Sequence, residues 1–206
     1  MLKQGLGGRL LLPFLAILGS LAPAHAFDIR EGECRRILSG QERVRIHYAS
    51  GLKAEVNPAG PDNIVSRVEV FPDGRREAHK WIGGVFLLEN HRGRYIYADK
   101  DATRLPFAPG EKRQSSFTFI ANDGATRSGT IVVAVETVEK ARFGECEATY
   151  ARIATTLSWA HSLQYAKVSR LFVMEVGSVI EQTVEQVKDG RPELTTFRAT
   201  RIELIR

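Results

Sequence analysis

Glu77, His79 and Trp81 stand at every second position of one segment, so an extended backbone points all three the same way. A carboxylate, an imidazole and an indole on one face can hydrogen-bond a polar ligand and stack on it. The triplet is therefore a candidate contact surface for a small sugar or anion. The same mixture also occurs on plain solvated sheet faces. Two carboxylate pairs, Asp99/Asp101 and Glu145/Glu147, have members two residues apart. On extended backbone that places them roughly 6–7 Å from each other, a spacing that glycosidase pairs use. Acid–base work also needs a cleft, and Asp99/Asp101 falls in a loop-like stretch. No catalytic residue is assigned.

Reaction motifs are missing. Gly-x-Ser-x-Gly, His-Glu-x-x-His, Gly-x-Gly-x-x-Gly and the phosphate-binding Gly-x-x-x-x-Gly-Lys loop are all absent. His47, His79, His91 and His161 lack metal-ligand spacing. His47 shares a strand face with Arg43 and Arg45 and reads as a solvated side chain. No metal and no cofactor is expected. The basic runs Arg35-Arg36, Arg75-Arg76 and His91-Arg92-Gly93-Arg94 could meet anionic lipid or cell-wall polymer. Charges at turns and sheet edges also serve to block unwanted strand pairing.

The compartment is more legible than the chemistry. Lys3 and Arg9 precede an apolar run from Leu10 to Leu21, and Ala24-His25-Ala26 forms an A-x-A cleavage site. This is the layout of a secretory signal peptide over 1–26, with Phe27 first in the mature chain. The run is too short for a spanning helix, which needs about 20 residues. Position 27 is not the Cys of a bacterial lipoprotein. The chain carries 29 Lys+Arg and 24 Asp+Glu. Two of those cations lie in 1–26, leaving 27 − 24 = +3 for 27–206. That is too mild for nucleic-acid binding, which leans on a concentrated basic face. A periplasmic or secreted protein that does not span the membrane is expected, with an unknown envelope protein or ligand as partner.

Cys34 and Cys146 are the two cysteines, and an exported chain with an even count reads as disulfide-linked. The bridge would tie the N-terminal arm to the later sheet.

The elements that hold these residues are strands. Val44, Ile46 and Tyr48 alternate with Arg43, Arg45 and His47, and Leu52, Ala54 and Val56 with Lys53 and Glu55. A second hairpin pairs 65–71 with 75–81 through Phe71-Pro72-Asp73-Gly74. Val85–Leu88 and Arg94–Asp99 follow, then a loop over 100–113. Ser115–Ala121 and Arg127–Val138 flank Asn122-Asp123-Gly124, a strong hairpin turn. Glu147–Trp159 fits neither period cleanly. The C-terminus reads as a meander of Leu171–Val176, Val179–Val187 and Leu194–Leu204, turning at Val176–Val179 and at Lys188-Asp189-Gly190. In the last strand Leu194, Ile202 and Leu204 share parity, which predicts burial at both ends. The expected fold is one all-β domain over 27–206. It would be a mostly antiparallel curved sheet of about ten strands, forming a sandwich or an open barrel.

Two stretches resemble a family of uncharacterised exported β domains of the bacterial envelope. Glu136-Thr137-Val138 with Phe143-Gly144-Glu145-Cys146 is similar to that family's "E-T-V … G-x-F … C/Y" step, with Arg142 where Gly stands in the family. Leu171–Ile180 is similar to the hairpin that follows it, without its Ser-Pro. Leu105–Glu111 resembles the "P-L-x-P-G" lead-in. The resemblance covers the C-terminal half. It implies an extended antiparallel sheet and an envelope location, and it supplies no active-site residue.

Three functions fit this reading: a non-enzymatic binding or structural module, a carrier of apolar ligand in an open barrel, and a cell-envelope hydrolase. The lining of the sheet's inner face separates them.

Overall fold

The computed structural model describes residues 27–99, 101–103, 108–162, 165–188 and 191–206. The signal peptide expected over 1–26, part of the loop expected over 100–113 and the turn expected at 188–190 fall wholly or partly outside these residues. The strands are β1 (Asp28–Ile29), β2 (Val44–Tyr48), β3 (Lys53–Val56), β4 (Ile64–Val70), β5 (Arg76–Ile82), β6 (Phe86–Asn90) and β7 (Gly93–Tyr97). They continue as β8 (Lys112–Ala121), β9 (Thr126–Phe143), β10 (Cys146–Trp159), β11 (Tyr165–Val173), β12 (Ser178–Lys188) and β13 (Arg191–Leu204). One short helix, α1 (Cys34–Leu38), lies between β1 and β2.

From β2 to β13 each strand pairs antiparallel with the next in the chain, and β13 then pairs with β2. Ile202 faces Ile46 and Leu204 faces Val44. The sheet therefore closes into a barrel, leaving neither end strand with a free edge at the seam. β1 adds to β13 in parallel, Ile29 beside Ile202, beyond the stretch that β12 covers. All-β and antiparallel hold. The open barrel or sandwich of about ten strands does not, because thirteen strands form one sheet and twelve of them close it. The seam joins residues 46 and 202, and alternation within single strands carries no information about such a pairing.

A bulge at Thr200 controls which side chains face inward. Ala199 pairs with Tyr48 but Arg201 with His47, so one residue of β13 is extra. An added residue reverses the parity. Ahead of it Ala199 points in, and beyond it Ile202 and Leu204 point in. Leu194 thus lies on the outer face and is 69% exposed, contrary to the burial expected at both ends of this strand. The preceding turn also moves. β11 ends at Val173, and Met174–Gly177 turns the chain, with the Gly177 N–H donating to the Val173 carbonyl at 3.0 Å. Gly177 has φ +65°, the left-handed region that glycine enters freely.

The ambiguous segment 147–159 is strand β10, and its spacing has a cause. Ala148 and Tyr150 are buried on one face, and Ala151 and Ile153 on the other. Leu171, Phe172 and Val173 of β11 are likewise buried in succession. Two cores are responsible. The first gathers Val44, Ile46, Ala54 and Val56 with Ile37, Phe143, Leu171 and Ile202. The second gathers Phe86, Tyr97, Phe117, Ile131, Ile153 and Phe172. A strand buried on both faces loses the simple apolar–polar alternation.

Cys34 and Cys146 form the expected disulfide, with Cα atoms 6.0 Å apart. It anchors α1 and the N-terminal arm to β10. Phe27 packs on Phe143 with ring centroids 5.1 Å apart. Such bridges persist in oxidising compartments.

No helix of the described residues is long and apolar enough to cross a membrane. Membrane-spanning barrels carry an apolar outer band and a polar interior. Here the outer face of β13, β2, β3 and β5 carries the ion pairs Arg201–Glu203, Arg45–Glu55 and Arg76–Glu55, and apolar side chains fill most of the inside.

Candidate functional site

The turn at Phe71–Gly74 sets the register of β4 on β5, with the Phe71 N–H donating to the Arg75 carbonyl. Val65 then faces Trp81, Arg67 faces His79, and Glu69 faces Glu77. Glu69 in turn faces Ala54, and Ala54 faces Ile46, both fully buried core residues. This face of β4–β5 points into the barrel. The Glu77–His79–Trp81 triplet is an interior feature and not a solvated surface.

Opposite it stand β11 and β12, where Arg170 pairs with Gln182. Arg170 Nε donates to Gln182 Oε1 at 3.1 Å and Nη1 to Thr155 Oγ1 at 3.0 Å. The guanidinium lies over the Trp81 ring at 5.4 Å. A cavity of about 240 Å3 separates the two walls. Arg67, Glu69, His79, Trp81, Arg170 and Gln182 supply its polar lining, and Val65, Leu87 and Val179 its apolar part. Gly84 and Gly177 meet at one side. A Cβ on Gly84 would sit 2.6 Å from the Gly177 carbonyl oxygen and 2.7 Å from the Phe172 ring. Only glycine lets the β5–β6 and β11–β12 turns come this close.

Arg67 Nη2 pairs with Glu69 Oε1 at 2.8 Å. His79 Nε2 lies 3.6 Å from Glu69 and 3.9 Å from Glu77, beyond hydrogen-bonding range. Glu77 is drawn away from the cavity. Arg75 Nη1 donates to it, and His91 Nδ1 meets its other oxygen at 3.0 Å. The structure therefore brings His79 and Trp81 to the cavity and leaves Glu77 behind them. Four atoms at the site are buried without a hydrogen-bond partner among the described residues: Arg67 Nε, both His79 ring nitrogens and Trp81 Nε1.

Burial holds the His79 pKa below the usual histidine value, against the pull of Glu69. Burial, reinforced by the positive charge of Arg67, pushes Arg170 down to about 10, still charged at neutral pH. Two guanidinium groups thus share the cavity with one carboxylate, Glu69, which is already paired.

Arg170 is the key residue that sequence reasoning missed. Its signal was parity: it lies two positions before Phe172 and shares the inward face. A charge on a buried face is informative in a way that a charge on a solvated face is not.

The other candidates are structural. Asp99 Oδ1 accepts the backbone N–H groups of Asp101 and Ala102, closing a turn. Glu145 accepts the Gly32 N–H at 2.9 Å beside the disulfide, and Glu147 pairs with Lys140 at 3.4 Å on the surface. Glu145 and Glu147 both border an open surface depression of about 730 Å3 beside Arg35 and the disulfide, where each already has a partner. Arg36 makes a two-pronged contact with Glu42. His47 meets Glu203 at 3.0 Å and is partly covered rather than fully solvated. A larger depression of about 450 Å3, beside Ile96, Thr118, Ser128 and Trp159, contains no titratable side chain.

No protein-family model and no curated protein matches this chain. Among solved structures it is similar to the crystal structure of the hypothetical lipoprotein YmcC from Escherichia coli (K12). The identity is 8% and the TM-score 0.40, over 78% of this chain and 88% of that one. At that distance the likeness carries no functional argument.

Proposed function

We propose that this chain is an exported, non-enzymatic binding module of the bacterial envelope that holds a small polar ligand inside its barrel. One observation carries the reading: four buried polar atoms without partners converge on a single interior cavity. Buried polar groups are nearly always hydrogen-bonded, and a cluster of exceptions calls for a missing partner. The cavity is smaller than the roughly 300–1,000 Å3 of drug-sized sites, so the ligand is compact. Glu69 and Glu77 are each committed to an arginine, and neither is free to serve as an acid or base. That weighs against a hydrolase. The charged wall residues weigh against a carrier of apolar cargo.

The Sec-type signal at 1–26 and the Cys34–Cys146 bridge support export to the periplasm or beyond. Native mass spectrometry of protein isolated from its own envelope tests the binding reading. A small adduct that leaves on denaturation, and is absent from Arg170→Met, is expected. Protein carrying only water contradicts the proposal, and a lipid-sized adduct favours the apolar carrier.

A further inference from the structure

We infer that the interior cavity is an oxyanion site, built to take the carboxylate or phosphate group of a compact ligand between Arg67 and Arg170. This deepens the binding reading and rests on it.

The argument is an inventory of donors and acceptors. Three side-chain acceptors that line the cavity already hold donors. Glu69 Oε1 holds Arg67, Gln182 Oε1 holds Arg170, and Asn90 Oδ1 takes the backbone N–H groups of Arg92 and Gly93. The donors remain. Arg67 Nε and Trp81 Nε1 can only donate, and the neutral His79 ring has one N–H whichever tautomer it adopts. A ligand that matches unused donors is rich in acceptors.

Charge points the same way. The described residues offer Arg170 only neutral partners, Thr155 and Gln182, and no carboxylate within ion-pair distance. A buried charge without a counter-charge is costly, and a second guanidinium nearby adds to the cost. An incoming anion relieves both. A cation would meet two guanidinium groups. A neutral sugar would satisfy the hydrogen bonds but leave the charge uncompensated.

His79 adds a pH dependence. Glu69, Glu77, Arg67 and His91 surround it on β4, β5 and the turn after β6, with Arg170 across the cavity. Its burial favours the neutral ring when the cavity is empty. A bound oxyanion beside it favours the protonated ring, so binding takes up a proton and tightens as pH falls.

Trp81 reports on the site, and Trp159 is the second tryptophan of the chain. In the full chain carrying Trp159→Phe, Trp81 emission is titrated with glucose, glucuronate, glucose 6-phosphate and inorganic phosphate. A saturable response to glucuronate, to a phosphate compound, or to both is expected, with none to glucose. The charged arms separate a carboxylate site from a phosphate site. Binding should weaken at least tenfold in Arg170→Met, persist in Arg170→Lys, and be tighter at pH 6 than at pH 8. If Arg170→Met fails to fold, Arg67→Gln takes its place with the same expected loss. A response to glucose equal to that of the acids, and insensitive to Arg170, overturns the oxyanion inference while leaving an interior binding site. No response to any of the four overturns the inference too. An envelope-derived adduct in the native spectrum would then still uphold binding.

Discussion

Arg170 on β11 and Trp81 on β5 touch across the barrel, the guanidinium carbon 5.4 Å from the indole centroid, although their strands stand on opposite sides of the twelve-strand ring. A desolvated cation–π contact of this kind contributes about 2 kcal/mol. It draws two walls together where a barrel of this strand number could have kept an open lumen. Into the space that is left converge the unpartnered nitrogens of Arg67, His79 and Trp81.

Arg170 should cost the empty protein stability that the bound protein regains. Arg170→Met removes an uncompensated buried charge and keeps most of the volume. In urea unfolding without ligand, the variant should be as stable as the parent or more stable by roughly 1 kcal/mol. A loss of 3 kcal/mol or more would mean that Arg170 is a structural strut.

Stability of the empty protein should fall as pH drops below the ordinary histidine value of 6.5. Burial depresses the folded pKa of His79, so in that range the unfolded chain binds a proton that the folded one does not. The loss levels off once pH passes the folded pKa. Glu55 and Glu203, held below the usual carboxylate range by hydrogen bonds from Arg45 and His47, act in a separate window. Their contribution is present above about pH 4.5 and is lost as pH falls through their lowered pKa values. Thermal melts from pH 5 to 8 should show a flatter profile for His79→Gln. An unchanged slope would remove His79 from the account.

Reducing the Cys34–Cys146 bridge should lower the melting temperature sharply. It spans 112 residues, and the chain-entropy model allows about 4–5 kcal/mol as an upper figure. The Cys34→Ser/Cys146→Ser double variant should match the reduced parent. Two titratable thiols in unreduced protein from the envelope would contradict the bridge.

Gly177→Val should destabilise the β11–β12 turn by roughly 1–2 kcal/mol, the cost of the left-handed conformation at φ +65°. Space is not the obstacle, because a Cβ there meets Val65 at 3.5 Å. Gly177→Asn, which tolerates this region better, should lose less. Equal melting of Val and Asn variants would show that φ is not the cause.

Local alternation carried the strand reading where only one face was covered, as in Val44–Tyr48. It blurred in β10, where Tyr150 and Ala151 enter different cores. It misplaced Leu194, because the bulge at Thr200 changes parity without leaving a sequence mark. The seam between Ile46 and Ile202 was out of reach, since nothing local to either residue names its partner. The site was half legible. Glu77, His79 and Trp81 stood out by spacing, but their inward direction depends on the closed ring. Arg67 and Arg170 join them only through pairings across strands.

A crystal structure grown with glucuronate, and with glucose 6-phosphate in parallel, tests the central claim most directly. The account predicts ligand density in the cavity of at least one, its acid group within hydrogen-bonding distance of Arg67, Arg170 and Trp81 Nε1. A cavity that holds only water in both, with those donors bonded to it, would contradict it.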